Sequence, residues 1–347
     1  MVAILIMAGC LRYSIEDVVP ADIETTLFLI GDAGEPDPRD VGAALDSLTA
    51  QARGSPDNTL IVFLGDNVYP AGIPQEGRAE WADALRRLDA QIAAVPPGAR
   101  GIFIPGNHDW ADEGPYGLYS VRVQGQLIRA RARGRNVEML PPNGCPGPAT
   151  LDRGRLRLVL LDTQWWLHNF IVRDSASTCI TQPGAVTAAL RDTVRSTGDD
   201  RVLIVAGHHP LMTGGEHGGY CGLTGPIHRF RGASQDIMSS TNRTMRDSLE
   251  AAFAERPPLA YVAGHEHNLQ VLRGTRSTRY ILISGAGSED KVSCAVRLRE
   301  SYYVSQRRAG FMRLDVLRGG GVLLRVYRYT SRGTGGPSYA RWLEPRL

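Results

Sequence analysis

The sequence predicts an α/β fold in which sheets are covered by helices. Short runs rich in Val, Ile, Leu and Phe recur along the chain, each ending abruptly in Gly followed by a polar residue. Stretches with the periodicity of an amphipathic helix separate these runs. Near the C-terminus, two apolar runs flank a Gly-rich turn, which is typical of an antiparallel hairpin and indicates a second, mixed sheet.

The expected elements follow from these patterns in chain order. Strands are expected at residues 26–30, 60–64, 101–104, 156–161, 202–206, 259–263 and 280–283. Because these runs are almost continuously apolar, we expect burial on both faces. Helices are expected at residues 40–53, 77–93, 184–196 and 242–255, with Asp40 as the N-cap of the first. The hairpin is expected to pair residues 311–317 with 321–330.

Composition limits the class of protein and of partner. With 347 residues, 43% of them hydrophobic, the chain can form one large domain or two small ones with a sizeable core. The 39 basic residues nearly balance the 36 acidic ones, so we expect neither nucleic acid nor an anionic membrane surface as a partner. A small molecule is expected instead. All basic residues except Lys291 are Arg, which we attribute to genome composition.

The N-terminus resembles the end of a bacterial lipoprotein signal. An apolar run leads into the string LIMAGC, which ends at Cys10, the position of the lipid-modified cysteine in such signals. Met7 replaces the usual Leu, and no basic residue precedes the run, which is too short to span a bilayer. We expect residues 1–10 to be a truncated signal and the protein to be exported: periplasmic, anchored to a membrane only by a lipid on Cys10, or secreted. An apolar first strand is the alternative.

The remaining cysteines are Cys145, Cys179, Cys221 and Cys294. In an exported chain an even number allows two disulfides, with three connectivities open. Free thiols in a cytosolic protein are the alternative. None of the four lies in a CxxC spacing, so we do not expect a structural zinc site.

Five of the predicted strands end in motifs loaded with metal-ligand residue types. The motifs read GDAG, GDNVY, GNHD, VAGHHP and GHEH. Because the carboxyl ends of parallel strands share one edge of a sheet, their side chains are expected to converge on one crevice. Seven groups are then available: Asp32, Asp66, Tyr69, Asn107, His208, His265 and His267. That number exceeds what one ion needs and suits two metals about 3.5 Å apart that share a carboxylate.

These motifs resemble those of the purple acid phosphatases, within the calcineurin-like metallophosphoesterases. The family pattern DxG, GDxxY, GNH[DE], VxxH and GHxH is matched without a departure at any ligand position, over roughly residues 25 to 330. The spacing is most similar to the small, single-domain, tartrate-resistant type. The resemblance implies a four-layer αββα sandwich of two mixed sheets flanked by helices. It also implies one catalytic domain over residues 22–335, followed by a C-terminal tail at 336–347.

The resemblance also assigns the ligands. It implies a ferric ion bound by a first group: Asp32, Asp66, Tyr69 and His267. It implies a divalent Fe, Zn or Mn ion bound by a second group that shares Asp66: Asp66, Asn107, His208 and His265. Hard carboxylate and phenolate oxygens suit a trivalent ion, whereas two imidazoles and an amide suit a divalent one.

The same resemblance implies how substrate is handled. His108 and His217 fall where the family places histidines that contact phosphate and help to protonate the leaving oxygen. The expected reaction is hydrolysis of small phosphate monoesters by a metal-activated hydroxide, with activity extending into mildly acid pH. Relatives favour a disulfide between Cys179 and Cys221, which leaves Cys145 with Cys294. We expect a monomer.

Two other functions fit the motifs. A phosphodiesterase or nucleotidase with two divalent ions would use nearly the same ligands and differs in sequence only at Tyr69. A non-catalytic binding protein could keep the fold, but degenerate relatives usually lose a ligand and none is lost here.

Overall fold

The computed structural model describes residues 18–35, 43–168, 179–180, 182–221, 233–288, 291–329 and 335–344. Cys10, the predicted signal and the predicted N-cap Asp40 lie outside the described residues. In the described part of the chain, no helix is long and apolar enough to cross a membrane.

The described residues include fourteen strands and six α-helices. The strands are β1 (Ile23–Ile30), β2 (Thr59–Phe63), β3 (Arg100–Phe103), β4 (Asn136–Met139), β5 (Ala149–Arg153), β6 (Leu156–Leu160), β7 (Val202–Ala206), β8 (Ala260–Ala263), β9 (Leu269–Arg273), β10 (Tyr280–Ser284), β11 (Ser301–Ser305), β12 (Gly310–Leu317), β13 (Val322–Arg328) and β14 (Tyr339–Glu344). The helices are α1 (Ala43–Ala52), α2 (Trp81–Ala93), α3 (Gly117–Ala130), α4 (Gln164–Leu167), α5 (Pro183–Arg195) and α6 (Ser240–Phe253).

Two mixed sheets of seven strands form the centre of the fold. The first sheet has the order β14-β13-β12-β1-β2-β3-β4, and the second has the order β11-β9-β10-β8-β7-β6-β5. Strands β1 to β4 are parallel in the first sheet, as are β6, β7, β8 and β10 in the second. The remaining neighbours pair antiparallel.

Three buried clusters define four layers. One cluster fills the space between the two sheets, where Leu27 and Val62 of the first sheet pack with Leu158 and Ile204 of the second. A second lies between the first sheet and helices α1, α2 and α3. A third lies between the second sheet and helices α5 and α6. The predicted αββα sandwich of mixed sheets is confirmed.

The predicted strands and helices are confirmed to within a few residues, and the hairpin forms between β12 and β13. Five strands were not predicted: β4, β5, β9, β11 and β14. Four of them are the edge strands of the two sheets. An edge strand is partly exposed and carries no continuous apolar run, so its sequence resembles a loop. Within the range 336–347, which sequence analysis assigned to a C-terminal tail, β14 pairs with β13.

The structure contains two disulfides, but their connectivity differs from the expected one. Cys145 pairs with Cys179, and Cys221 pairs with Cys294. The expected pairs, Cys179 with Cys221 and Cys145 with Cys294, are therefore wrong. Cys221 and Cys294 meet because the loops that carry them also meet: Val296 donates its backbone N–H to the carbonyl oxygen of Gly214. Two disulfides indicate an oxidising, extracellular environment.

Candidate metal centre

The seven candidate ligands lie just past the carboxyl ends of five parallel strands. The first sheet supplies four of them, after β1, β2 and β3, and the second sheet supplies three, after β7 and β8. In that order they are Asp32, Asp66, Tyr69, Asn107, His208, His265 and His267. The two sheets face each other, so every side chain that sequence analysis assigned to the metals lies at one seam between them.

Three of these residues have left-handed backbone conformations. The angle φ is 57° at Asp32, 54° at Asp66 and 68° at His265. A residue other than glycine rarely adopts such angles, at a cost of about 1–3 kcal/mol. Such strain concentrates where a fold must aim a side chain at a site.

Two glycines allow the strand ends to approach each other. Gly65 has a φ of 92°, and a Cβ atom there would lie 2.4 Å from Nδ1 of His208. A Cβ atom on Gly264 would lie 2.7 Å from Oδ2 of Asp32. A side chain at either position would therefore displace a candidate ligand.

The first group of side chains surrounds the hydroxyl of Tyr69. Its oxygen lies 3.2 Å from Oδ1 of Asp32, 3.1 Å from Oδ2 of Asp66 and 3.0 Å from Nε2 of His267. Nε2 of His267 is also 3.3 Å from Oδ1 of Asp32. The four ligand atoms of this first group are thus close neighbours, and they are of the types expected to bind a trivalent ion.

The second group shares Asp66 with the first. Oδ1 of Asn107 lies 3.0 Å from Nε2 of His208 and 3.2 Å from Nδ1 of His265. Nε2 of His208 lies 3.5 Å from Oδ2 of Asp66. The carboxylate of Asp66 therefore stands between the two groups, as a bridging ligand must.

These separations suit metal coordination. Ligand atoms bound at about 2.1 Å and at right angles lie about 3 Å apart, which is the spacing seen in both groups. Asp32, Asp66 and His267 offer one set of mutually close ligand atoms, and His208 and His265 belong to another. Nε2 of His265 is buried without a hydrogen-bond partner among the described residues. The donor set fits two ions.

Two histidines are oriented in the way that metal ligands usually are. Nδ1–H of His208 donates to the carbonyl oxygen of Leu64 at 2.7 Å, and Nδ1–H of His267 donates to that of Lys291 at 2.8 Å. Each bond places the proton on Nδ1 and leaves Nε2 as the nitrogen that faces the site.

The site concentrates charge in a buried place. Burial alone would raise the pKa of Asp66, but the imidazoles of His208 and His108 hold that pKa well below its usual range. Conversely, burial opposes protonation of His208, and the charge of Asp66 raises its pKa to about 9. Burial and the neighbouring carboxylates raise the pKa of Tyr69 well above its usual value. The carboxylates of this pocket thus favour positive charge beside them, which a protonated imidazole or a metal cation can supply.

His108 lies beside this centre. Its Nδ1 is hydrogen-bonded to the carbonyl oxygen of Pro70 at 2.5 Å, and its Nε2 lies 3.9 Å from Oδ2 of Asp66. Its backbone N–H donates to Oδ1 of Asp66 at 2.9 Å. The ring is a quarter exposed, so it can meet a ligand that enters the crevice.

His217 is held by two buried carboxylates. Its Nδ1–H donates to Oδ1 of Asp236 at 2.7 Å. The carboxylate of Glu266, in the GHEH motif, accepts the backbone N–H of Glu216 at 3.0 Å and that of His217 at 3.2 Å. The ring centroid of His217 lies 4.1 Å from that of His265. The Gly-rich loop is thereby fixed against the second group of ligands.

Residues 25–269 match the family described as calcineurin-like phosphoesterase, and this range covers more than two thirds of the 347 residues. The chain belongs to this family. No curated protein sequence matches this phosphoesterase.

Solved structures that share the fold of this phosphoesterase include GAP50 and the purple acid phosphatase PPD1. GAP50, described as the anchor in the inner membrane complex of Plasmodium, aligns with a TM-score of 0.61 and 15% identity, covering 94% of this chain and 90% of its own. The purple acid phosphatase PPD1 from yellow lupin (Lupinus luteus) seeds aligns with a TM-score of 0.57 and 13% identity, covering 90% of this chain and 52% of its own. At these identities the likeness shows the fold alone.

His209 lies close to the second group without belonging to it. Oγ1 of Thr163 accepts the backbone N–H groups of His208 and His209 at 3.1 and 3.0 Å, so it donates its own hydrogen to Nδ1 of His209 at 2.9 Å. The proton of the neutral ring of His209 is then on Nε2. This Nε2 has no hydrogen-bond partner among the described residues, and a ligand atom of His209 lies within 4.8 Å of those of His208 and His265. A protonated nitrogen cannot bind a metal, so we do not assign His209 as a ligand of this phosphoesterase.

Sequence reasoning missed three residues near the centre of this phosphoesterase: Asp236, Glu266 and Lys291. Asp236 follows no predicted strand, so no motif marks it. Glu266 occupies the variable position of GHxH. Its place in the sequence between two candidate ligands was the signal that could have found it. Lys291 was visible as the single lysine of the chain.

Proposed function

We propose that this phosphoesterase hydrolyses phosphate monoesters as a purple acid phosphatase of the small, single-domain type. The observation that carries the proposal is the contact of Tyr69 with Asp32, Asp66 and His267, each within 3.2 Å of the phenol oxygen. Three oxygens and one imidazole suit ferric iron. The second group, which shares Asp66, suits divalent Fe, Zn or Mn.

Two bound ions would supply Lewis acidity, an activated water and stabilisation of charge on the phosphoryl oxygens. The residues of the chain do the rest. Asp32 and Asp66 would hold the cations through their negative charge, and Asp66 would belong to both groups of ligands. His108 and His217 meet the phosphate from the crevice, and a protonated imidazole there both attracts the anion and can donate a proton to the leaving oxygen.

The visible absorption spectrum of protein purified without chelator tests the ferric assignment. A broad charge-transfer band that gives a violet or pink colour supports a phenolate of Tyr69 on ferric iron. A colourless, metal-loaded and active protein would instead favour two divalent ions. An activity optimum above pH 8 would also count against iron.

Comparison of 4-nitrophenyl phosphate with bis(4-nitrophenyl) phosphate tests the substrate class. We expect kcat/KM for the monoester to exceed that for the diester, and Asp66→Asn to be inactive on both. The reverse preference would indicate the phosphodiesterase or nucleotidase alternative. Undetectable turnover by the fully metal-loaded protein would indicate a non-catalytic role, as an anchor or binding protein.

We also propose that the protein acts as a monomer on small phosphorylated substrates after export, with Cys10 as the site of lipid attachment. Expression of the natural gene with Cys10→Ser tests the anchor. We expect this substitution to move the protein from the membrane fraction to the soluble fraction. An unchanged distribution would reject lipid attachment at Cys10.

A further inference from the structure

Lys291 stands beside the first group of candidate ligands. Its ammonium nitrogen lies 5.0 Å from the centre of the Tyr69 ring, within the range of a cation–π interaction. The lysine side chain is 37% exposed, so its charge is partly shielded from water. A positive charge is therefore held over the ring that would carry the phenolate.

The position of Lys291 is fixed by neighbours on both sides. Its carbonyl oxygen accepts Nδ1–H of His267 at 2.8 Å, and Ser293 donates its backbone N–H to the carbonyl oxygen of His267 at 2.8 Å. The disulfide at Cys294 ties the same segment to Cys221. The segment that carries the ammonium is thus anchored to a candidate ligand.

Glu35 holds the ammonium end. Its Oε2 lies 2.9 Å from Nζ of Lys291, and its backbone N–H donates to Oγ of Ser288 at 3.2 Å. Oγ of Ser288 in turn donates to the carbonyl oxygen of Asp32 at 2.6 Å. Through this chain of bonds the cation is positioned relative to the ligands of the first group.

An ion pair with Glu35 does not by itself explain why residue 291 is Lys rather than Arg. Arg87 also approaches Glu35, at 3.6 Å, and Arg forms stronger bidentate pairs with carboxylates than Lys does. In a chain whose other basic residues are all Arg, the one Lys lies against the metal centre. An ammonium concentrates its charge at one point above the ring, whereas a guanidinium spreads the charge over a plane.

We propose that Lys291 tunes the electronic energy of Tyr69. Its ammonium stabilises the electrons of the phenolate. It thereby sets the energy of charge transfer to the ferric ion and the reduction potential of that ion. This inference rests on the proposed function, because it requires iron on Tyr69. Lys291 is a positioning residue in this scheme and need not touch substrate.

Lys291→Met, Lys291→Arg and a matched control, Arg87→Met, test the proposal. The control removes the other cation beside Glu35 but leaves the one over Tyr69. All four proteins are loaded with iron, and iron content and thermal unfolding are compared before the visible spectrum and the midpoint potential are measured. These two readouts respond to charge at Tyr69, which a merely structural role would not change.

Loss of the cation raises the energy of the phenolate electrons and favours the ferric state. We therefore expect Lys291→Met to move the band to longer wavelength and to lower the midpoint potential. Lys291→Arg should stay closer to wild type, and Arg87→Met should not shift. An unmoved band in Lys291→Met, or an equal shift in Arg87→Met, overturns the proposal while leaving the ferric assignment intact. A colourless, iron-loaded wild type overturns both.

Discussion

Nδ1–H of His217 donates a hydrogen bond of 2.7 Å to the carboxylate of Asp236, which is 1% exposed. Oδ2 of the same carboxylate accepts the backbone N–H of Ala233 at 2.7 Å, which fixes its plane. Burial disfavours the protonated ring, but the bond to Asp236 and the nearby Glu266 raise the pKa of His217. Asp236 thus orients the imidazole and favours its protonated form, as a phosphate-binding proton donor requires.

Replacement of Asp236 should therefore impair turnover through His217. We expect Asp236→Asn to lower kcat on a phosphate monoester by roughly 10- to 100-fold, because general acid catalysis contributes about 100- to 10,000-fold in total. Metal content should not change. If the effect passes through His217, the double variant Asp236→Asn/His217→Asn should be no slower than His217→Asn alone. Fully additive losses would contradict this pairing.

The shared position of Asp66 predicts an asymmetry in metal content. Asp66→Ala removes a ligand from both groups, so we expect elemental analysis to find both ions depleted. His265→Ala should deplete chiefly the divalent ion, and His267→Ala chiefly the iron. His168→Gln, which alters a buried histidine outside both groups, serves as the control. Equal loss of both ions in His265→Ala and His267→Ala would show that the groups are not separate.

The two disulfides should differ in their effect on activity. Chain entropy predicts that each stabilises the fold by about 4 kcal/mol, for sequence separations of 34 and 73 residues. Cys221 and Cys294 lie on the loops of His217 and Lys291, whereas Cys145 and Cys179 lie on segments that carry no candidate ligand. Both double Ser variants should therefore unfold at lower denaturant concentration. Under conditions where the protein stays folded, only the variant that lacks the Cys221–Cys294 disulfide should also have a lower kcat. Equal kcat losses would contradict this.

Asp162 should make stability fall as pH rises. Burial raises its pKa to about 7, and its oxygens accept Nε1–H of Trp110 at 2.8 Å and the backbone N–H of Trp165 at 3.2 Å. Below about pH 4 both folded and unfolded chains hold the proton. Between pH 4 and 7 the unfolded chain loses this proton while the folded chain keeps it. The free energy of unfolding therefore falls by up to about 4 kcal/mol over this range.

Denaturant unfolding of wild type and Asp162→Asn from pH 5 to pH 8 tests this effect. The substitution costs a hydrogen bond at every pH, but it should flatten the dependence of the free energy of unfolding on pH. Identical slopes for the two proteins would show that Asp162 does not hold a proton in the folded state.

The sequence predicted what strong local patterns encode. Continuous apolar runs marked the central strands, and the motifs that follow them marked all seven candidate ligands. Edge strands such as β4 and β14 were missed because partial exposure removes the apolar signal. The disulfide pairing was wrong because it depends on which loops meet in space, and Asp236 was missed because its role depends on the same long-range contacts.

The seam between the two sheets also bears on how the protein folds. Asp32, Asp66, Tyr69 and Asn107 follow strands of the first sheet, and His208, His265 and His267 follow strands of the second sheet, at least 100 residues later in the chain. Under the proposed assignment, neither sheet alone carries a complete set of ligands for either ion. Tight metal uptake should therefore await the docking of the two sheets, and during refolding it would report that docking rather than the formation of either sheet.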